Sequence, residues 1–229
     1  MRHVHAALLA LLAAAPARAE GLAELLAAVG TNARFDAPAR ADVRIESSGA
    51  PGRAILVGRG DALYVELKDG LRALVRPGDI VVAGGVKGVA AGAERVAGSD
   101  LQLEDLVVFR PAALAFPQIS DEDTTSTVVT SAPAGPSNYT LLVLTVDREQ
   151  HAVVKTQYYA KTITDLAKLR KDTGLIQVGG HWRPTDITVE SFHPPTTTHL
   201  TLTWREAPDV PATLFEPGSL EKPSGLVFP

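Results

Sequence analysis

The chain has 229 residues, no cysteine and a formal net charge of −4. The missing cysteines exclude a small disulfide-stapled scaffold. A mildly acidic chain without a basic cluster is also a poor match for nucleic acid, where Lys and Arg must neutralise phosphates.

Arg2, His3 and His5 open the chain, followed by an unbroken Ala/Leu run from Ala6 to Ala15. That run is ten residues long, against about 20 for a bilayer span. It has the length of a signal-peptide core. Pro16 ends it, and Ala17-Arg18-Ala19 supplies small residues where a signal peptidase reads. Residues 1–19 are therefore expected to be a cleavable export signal, cut before Glu20. No cysteine follows the cut to take a lipid, so the mature chain, 20–229, is expected to be a soluble periplasmic protein of one domain. Losing Arg2 and Arg18 takes its net charge from −4 to −6. No later stretch is long and apolar enough for a transmembrane helix.

Residues 20–29 place Leu22, Leu25, Leu26 and Val29 at i, i+3, i+4 and i+7, the apolar stripe of an amphipathic helix, with Gly30 as its stop. Beyond Pro38 the period falls to 2. Val43 and Ile45, then Ile55 and Val57, then Leu63, Val65 and Leu67 alternate with polar residues, and Leu71–Arg76 and Asp79–Ala83 continue the series. Turns such as Asp69-Gly70 separate these runs, which is the signature of an antiparallel meander. After the Gly/Ala/Val stretch 84–98, Ser99 and Gln102 are spaced as a capping box for a short helix ending near Asp105 or Val108. Residues 110–138, with Pro111, Pro117, Pro133 and Pro136, read as a long connection, a loop with a short helix or strand inside it. Strands return at Tyr139–Asp147, where Leu142, Leu144 and Val146 share a face, and at Val153–Ala160, Lys161–Leu169, Ile176–Val178, His181–Phe192 and Thr196–Arg205. The Pro-rich tail is expected to wrap as an irregular strap. The sum is a mainly β (α+β) fold of about ten to eleven strands. That many antiparallel strands must curl, closing or half-closing to protect their edges, with one helix available to cover the mouth.

A catalytic constellation is not legible. His151, His181, His193 and His199 lack metal-ligand spacing and read as solvated or turn histidines. No G-x-S-x-G elbow or phosphate loop is present. Glu104-Asp105 and Asp121-Glu122-Asp123 read as solvated acids, and Trp182 and Trp204 as core. No cofactor or metal is called for, and the expectation is a protein that is not an enzyme.

Four segments resemble, in order, motifs of the bacterial outer-membrane lipoprotein-sorting protein family. Gly98-Ser99-Asp100-Leu101-Gln102-Leu103-Glu104-Asp105-Leu106 resembles its G-S-D-[aromatic or apolar]-x-x-E-D-L segment. Asp147-Arg148-Glu149 with Lys155–Tyr159 is similar to its D-x-x-T…E-Y-Y hairpin, and Gly180–Ile187 to its G-x-W-x-P-T-x-I strand. Asp209–Phe215 is similar to its closing x-x-[LI]-P-x-x-[LV]-F segment. The chain departs from the pattern in its Pro-rich 110–138 connection and in lacking the D-x-x-G turn after Tyr159.

The resemblance implies an unclosed antiparallel barrel with an apolar concave face, helices as a lid, and no enzymatic activity. It also implies a lipoprotein or lipid cargo, handed on from an inner-membrane transporter to an outer-membrane acceptor. The family's functional arginine matches no one position, leaving Arg34, Arg40, Arg44 and Arg53 open. The lid candidates are Leu22, Leu25, Leu26 and Val29; the cavity-wall candidates are Leu63, Val65, Leu67, Leu142, Leu144 and Val146. An acyl chain of about fifteen carbons needs about 12 kcal/mol of shielding from water, at roughly 0.8 kcal/mol per methylene. A carrier that supplies this shielding is the expected function. The alternative is a periplasmic sensor or regulatory domain of the same fold that engages a membrane-anchored protein.

Overall fold

The structure is a computed structural model that describes residues 21–49, 51–76, 79–87, 89–96, 99–106, 115–122, 124–131 and 137–228. The expected export signal lies outside the described residues. Helix α1 spans 21–33 and α2 spans Leu103–Leu106. The N-terminal strands are β1 (Phe35–Glu46), β2 (Gly52–Gly60), β3 (Ala62–Leu67), β4 (Arg72–Arg76) and β5 (Asp79–Ala83). After α2 come β6 (Ala115–Asp121), β7 (Thr125–Ser131), β8 (Leu141–Asp147), β9 (Ala152–Tyr159) and β10 (Leu166–Thr173). The series ends with β11 (Ile176–Val178), β12 (His181–Arg183), β13 (Asp186–Phe192) and β14 (Pro195–Glu206).

Twelve of these strands form one antiparallel sheet in the order β5-β4-β3-β2-β1-β14-β13-β10-β9-β8-β7-β6. The β1–β14 ladder, from Ala39↔Glu206 to Glu46↔His199, joins the first meander to the second. β5 and β6 are the two outer strands and the sheet does not close on itself. β11 and β12 form a separate ribbon.

Along β1, Ala39, Ala41, Val43 and Ile45 enter the inner core, while Arg40, Asp42, Arg44 and Glu46 occupy the alternate positions. The period of 2 read from the sequence is thus the inside–outside alternation of a curled sheet. The two ends of the series need correction. Segment 110–138, expected to be a loop holding one short helix or strand, contains the two-stranded hairpin β6–β7, and this adds strands beyond the ten or eleven counted from the sequence. Its inward positions Ser126, Val128 and Thr130 are all buried, but two of the three carry hydroxyls, so hydrophobic alternation hides the strand. Helix α1 runs past Gly30 to residue 33, with Thr31 Oγ1 donating to the Ala27 carbonyl at 3.0 Å.

The tail is a strap, as expected. It leaves β14 through Ala207 N, which donates to Pro38 O at 2.8 Å, and makes two 3-10 turns at Ala212–Phe215 and Pro217–Glu221. Leu214 and Leu220, with Phe215, Leu226 and Phe228, cover the outer-face residues Ile55, Val57, Tyr64 and Leu74. Arg76 Nη2 donates to Phe215 O at 2.5 Å and Arg40 Nη2 to Val227 O at 2.6 Å, fixing the strap at two points. That is why β2 and β3 are buried on both faces.

Gly58 on β2 lies under the Phe35 ring; a Cβ there would sit 2.3 Å from the ring carbons. Gly58→Ala should therefore destabilise the fold by about 1–3 kcal/mol through overpacking. The check is a urea midpoint, and an unchanged midpoint would mean that Phe35 is free to move aside.

Candidate functional site

The inner face of the sheet carries two apolar floors, each under its own cover. On the first, residues of β1–β4, β13 and β14 pack under Val96, Leu101, Leu103 and Leu106 from the segment around α2. On the second, Val128, Leu142, Leu144, Val146 and Tyr158 of β7–β9 pack under Leu25 and Val29 of α1, with Tyr139 at the margin. The predicted residues therefore divide. Leu25, Val29, Leu142, Leu144 and Val146 meet in one cluster, and Leu26 packs partly against it. Leu22 is half-buried. Leu63, Val65 and Leu67 lie in the other cluster, beneath the α2 segment.

Each cover has a polar mooring. At the C-terminal end of α1, Arg183 of β12 donates from Nη1 to Asn32 O at 2.5 Å and from Nη2 to Arg34 O. Trp182 N donates to Asn32 Oδ1 at 2.7 Å. A buried cation on the last carbonyls of a helix both satisfies and electrostatically complements them. Arg183 also stacks 4.3 Å from the centre of the Phe35 ring. His181 Nε2 lies 2.9 Å from Asp36 Oδ2, and its ring is buried, in contrast to the solvated histidine expected there. His193 and His199 are exposed. Trp204 packs against Phe35 and donates from its indole nitrogen to Pro184 O at 2.8 Å.

At α2 the expected cap is displaced by three residues. Asp105 Oδ2 accepts from Gln102 N at 2.8 Å, so Gln102 occupies the N-cap position and Asp105 reaches back to it. Ser99 Oγ instead donates to Val96 O and accepts from Leu101 N. Asp105, expected to be solvated, is 1% exposed. Its carboxylate contacts Lys168 Nζ and accepts from Tyr139 Oη at 2.6 Å, while its carbonyl accepts from Arg170 Nη1 at 2.7 Å. Lys168 Nζ also donates to Asp100 O at 2.9 Å. Arg170 is held by Asp172 through Nε at 2.6 Å and Nη2 at 2.7 Å.

Lys168, Arg170 and Asp172 occupy alternate positions of β10, the strand between the two floors in the sheet order. They form a charged seam across a largely apolar inner wall. The sequence conceals it, because three charges at period 2 read as a solvated strand face. The available signal was Asp105 among Leu101, Leu103 and Leu106, an acid inside an apolar stripe. The four arginines left open by the sequence are elsewhere. Arg40 pairs with Asp42 on the outer face, Arg44 pairs with Glu46 at 2.8 Å, Arg34 lies 3.6 Å from Asp61, and Arg53 is exposed. The arginine that touches the α2 cover is Arg170.

The seam is desolvated. Burial, then the Asp105 charge, pushes the Tyr139 phenol well above its usual range, and burial raises Tyr158. Tyr64, beneath the strap, is raised by burial and by Glu66. Burial would lower Arg170, but Asp172 outweighs it and holds the guanidinium charged. Burial raises Glu104, opposed by hydrogen bonds from Ser137 and Asn138. A phenol raised in the folded state adds stability that is complete below the ordinary pKa of about 10 and lost as pH climbs through the folded value. Tyr64, Tyr139 and Tyr158 should thus yield their phenolate absorbance only together with unfolding. Their ionisation under an intact circular dichroism spectrum would show that water reaches them.

Among the described residues no group of three or more His, Cys, Asp or Glu side chains could hold a metal ion, and no helix is long and apolar enough to cross a membrane.

A family model described as "-like: Uncharacterized protein" matches residues 86–222, more than half of the chain, and the chain belongs to that family. No curated relative matches. Several solved structures share the fold. A putative outer membrane lipoprotein-sorting protein domain from Vibrio parahaemolyticus is 14% identical, with a TM-score of 0.72 over 87% of this chain and 97% of its own. A DUF1329 family protein from Desulfovibrio piger is 15% identical, with a TM-score of 0.71 over 86% and 96%. A LolA superfamily protein from Nitrosomonas europaea is 16% identical, with a TM-score of 0.60 over 84% and 96%. The half-barrel is therefore the fold of the lipoprotein-sorting domains, as the sequence motifs implied.

Proposed function

We propose that this member of the family matched over 86–222 is a non-enzymatic periplasmic carrier. It takes the acyl chains of a lipoprotein, or another lipid, onto the apolar inner wall of the half-barrel and moves them toward the outer membrane. The observation that carries this reading is the way the inner wall is covered. Two apolar floors are closed mainly by a helix of 21–33 and by the short α2 segment, with Val178 of the β11–β12 ribbon packing partly against the first. Short helical covers can leave without unzipping the strand ladders beneath, because local opening requires only the free energy of the contacts it breaks.

An open floor in water would be an aggregation hazard, which the moorings of the covers through Arg183 and Asp105 guard against. A lipid replaces the cover's apolar contacts with its own. A carrier of this kind has no bond to make or break.

The lid residues Leu25, Leu26 and Val29 and the wall residues Leu142, Leu144 and Val146 are proposed as the first contact surface for the acyl chain. The test is mass spectrometry of the intact protein isolated without detergent from its native compartment. The expected result is a co-purifying lipid at about one per protein, released on denaturation. Repeated isolation without lipid, together with no uptake of a fluorescent fatty acid, would contradict the proposal.

A further inference from the structure

The seam itself has a chemistry that the carrier reading does not use. On β10, Lys168 and Arg170 face one acid, Asp172, so the wall contributes a net charge of +1. Neutrality comes from Asp105, which belongs to the cover. Three donors converge on that one residue: Tyr139 Oη and Lys168 Nζ on its carboxylate, and Arg170 Nη1 on its carbonyl. When α2 leaves, all three lose this acceptor at once, and an uncompensated cation remains in a desolvated wall, which is costly. A neutral lipid cannot repair that loss. A carboxylate or phosphate can, since it accepts from the same donors and restores the charge.

Resting on the carrier reading, we infer that the seam is a binding site for the anionic headgroup of an amphiphile. Asp105 occupies it in the closed protein as a built-in stand-in for that headgroup. The flanking floor of Leu142, Leu144 and Tyr158 receives the chain. Opening of the α2 cover is thereby coupled to the charge of the cargo: an anion displaces Asp105, and a neutral amphiphile does not.

Two probes with the same chain, hexadecyl phosphate and hexadecanol, separate the headgroup from the tail. The wild-type protein should bind the phosphate about tenfold more tightly or better, the difference expected of a hydrogen-bonded charge. Asp105→Asn keeps an acceptor for Tyr139 but removes the competing charge. It should tighten the phosphate probe about tenfold further and hexadecanol by distinctly less, because a weaker mooring helps either probe but only the phosphate gains the freed cation. The double variant Asp105→Asn/Lys168→Met removes both charges of the pair, which a fold tolerates better than losing one. It should bind the two probes equally. Inorganic phosphate in large excess should not displace hexadecyl phosphate; displacement would assign the seam to a free anion and overturn the amphiphile. Equal binding of both probes by the wild type would overturn the headgroup site and leave the carrier reading standing. Binding of neither probe would remove the carrier reading and the inference with it.

Discussion

Asp105→Ala should lower the unfolding free energy by about 3–5 kcal/mol, the usual consequence of removing one partner from a buried charge pair. The loss is concentrated at one point. Lys168 Nζ retains only the Asp100 carbonyl among its named partners, and Tyr139 Oη and Gln102 N each lose the acceptor that satisfied them. For a chain of this size the expected fall in Tm is about 10 °C. Asp105→Asn should cost distinctly less, because the amide oxygen still accepts from Tyr139. Thermal and urea melts of the two variants side by side check both the size and the order. A Tm for Asp105→Ala within a degree or two of wild type would mean that water already reaches the seam.

Ending the chain after Ala207 should have a still larger effect. The strap covers Ile55, Val57, Tyr64 and Leu74, which are all essentially inaccessible. Exposing four such side chains costs on the order of 6–12 kcal/mol, at about 1.5–3 kcal/mol each. That is comparable to the whole stability of a typical domain, about 5–15 kcal/mol. Glu66 would also lose the Ser224 hydroxyl that donates to its carboxylate. The truncated chain should therefore be recovered mainly as aggregate, and any soluble fraction should lack a cooperative melt. A soluble product melting within a few degrees of the full chain would show that the strap is peripheral.

Much of the fold was legible because its strands obey a single rule. Wherever inward positions are apolar, as at Leu63, Val65 and Leu67 or Leu142, Leu144 and Val146, alternation located both the strand and its inner face. The same rule failed where inward positions are polar. Ser126 and Thr130 concealed β7, and Lys168, Arg170 and Asp172 offer no apolar alternation to mark the inner face of β10. The partition of the wall was invisible for a different reason. Leu63 and Leu142 both sit in short alternating runs, yet six strands separate β3 from β8 in the sheet. That separation is fixed by the long-range β1–β14 ladder, which no local window contains. The stripe on α1 was read correctly, but its end was not, because the group that receives its last carbonyls, Arg183, lies about 150 residues further along the chain.

The seam was hidden by cause rather than by noise. An acid is assigned to solvent on average energetics, and Asp105 escapes that average only because its cations arrive from β10, more than sixty residues away.

Hydrogen–deuterium exchange with and without saturating hexadecanoic acid tests the central claim most directly, that the apolar wall is a lipid site under removable covers. Loading should speed exchange of the amides in 21–33 and Leu103–Leu106 while those of β3 and β8 stay protected. Unaltered exchange in both covers at fatty-acid saturation, or no saturable uptake at all, would contradict it.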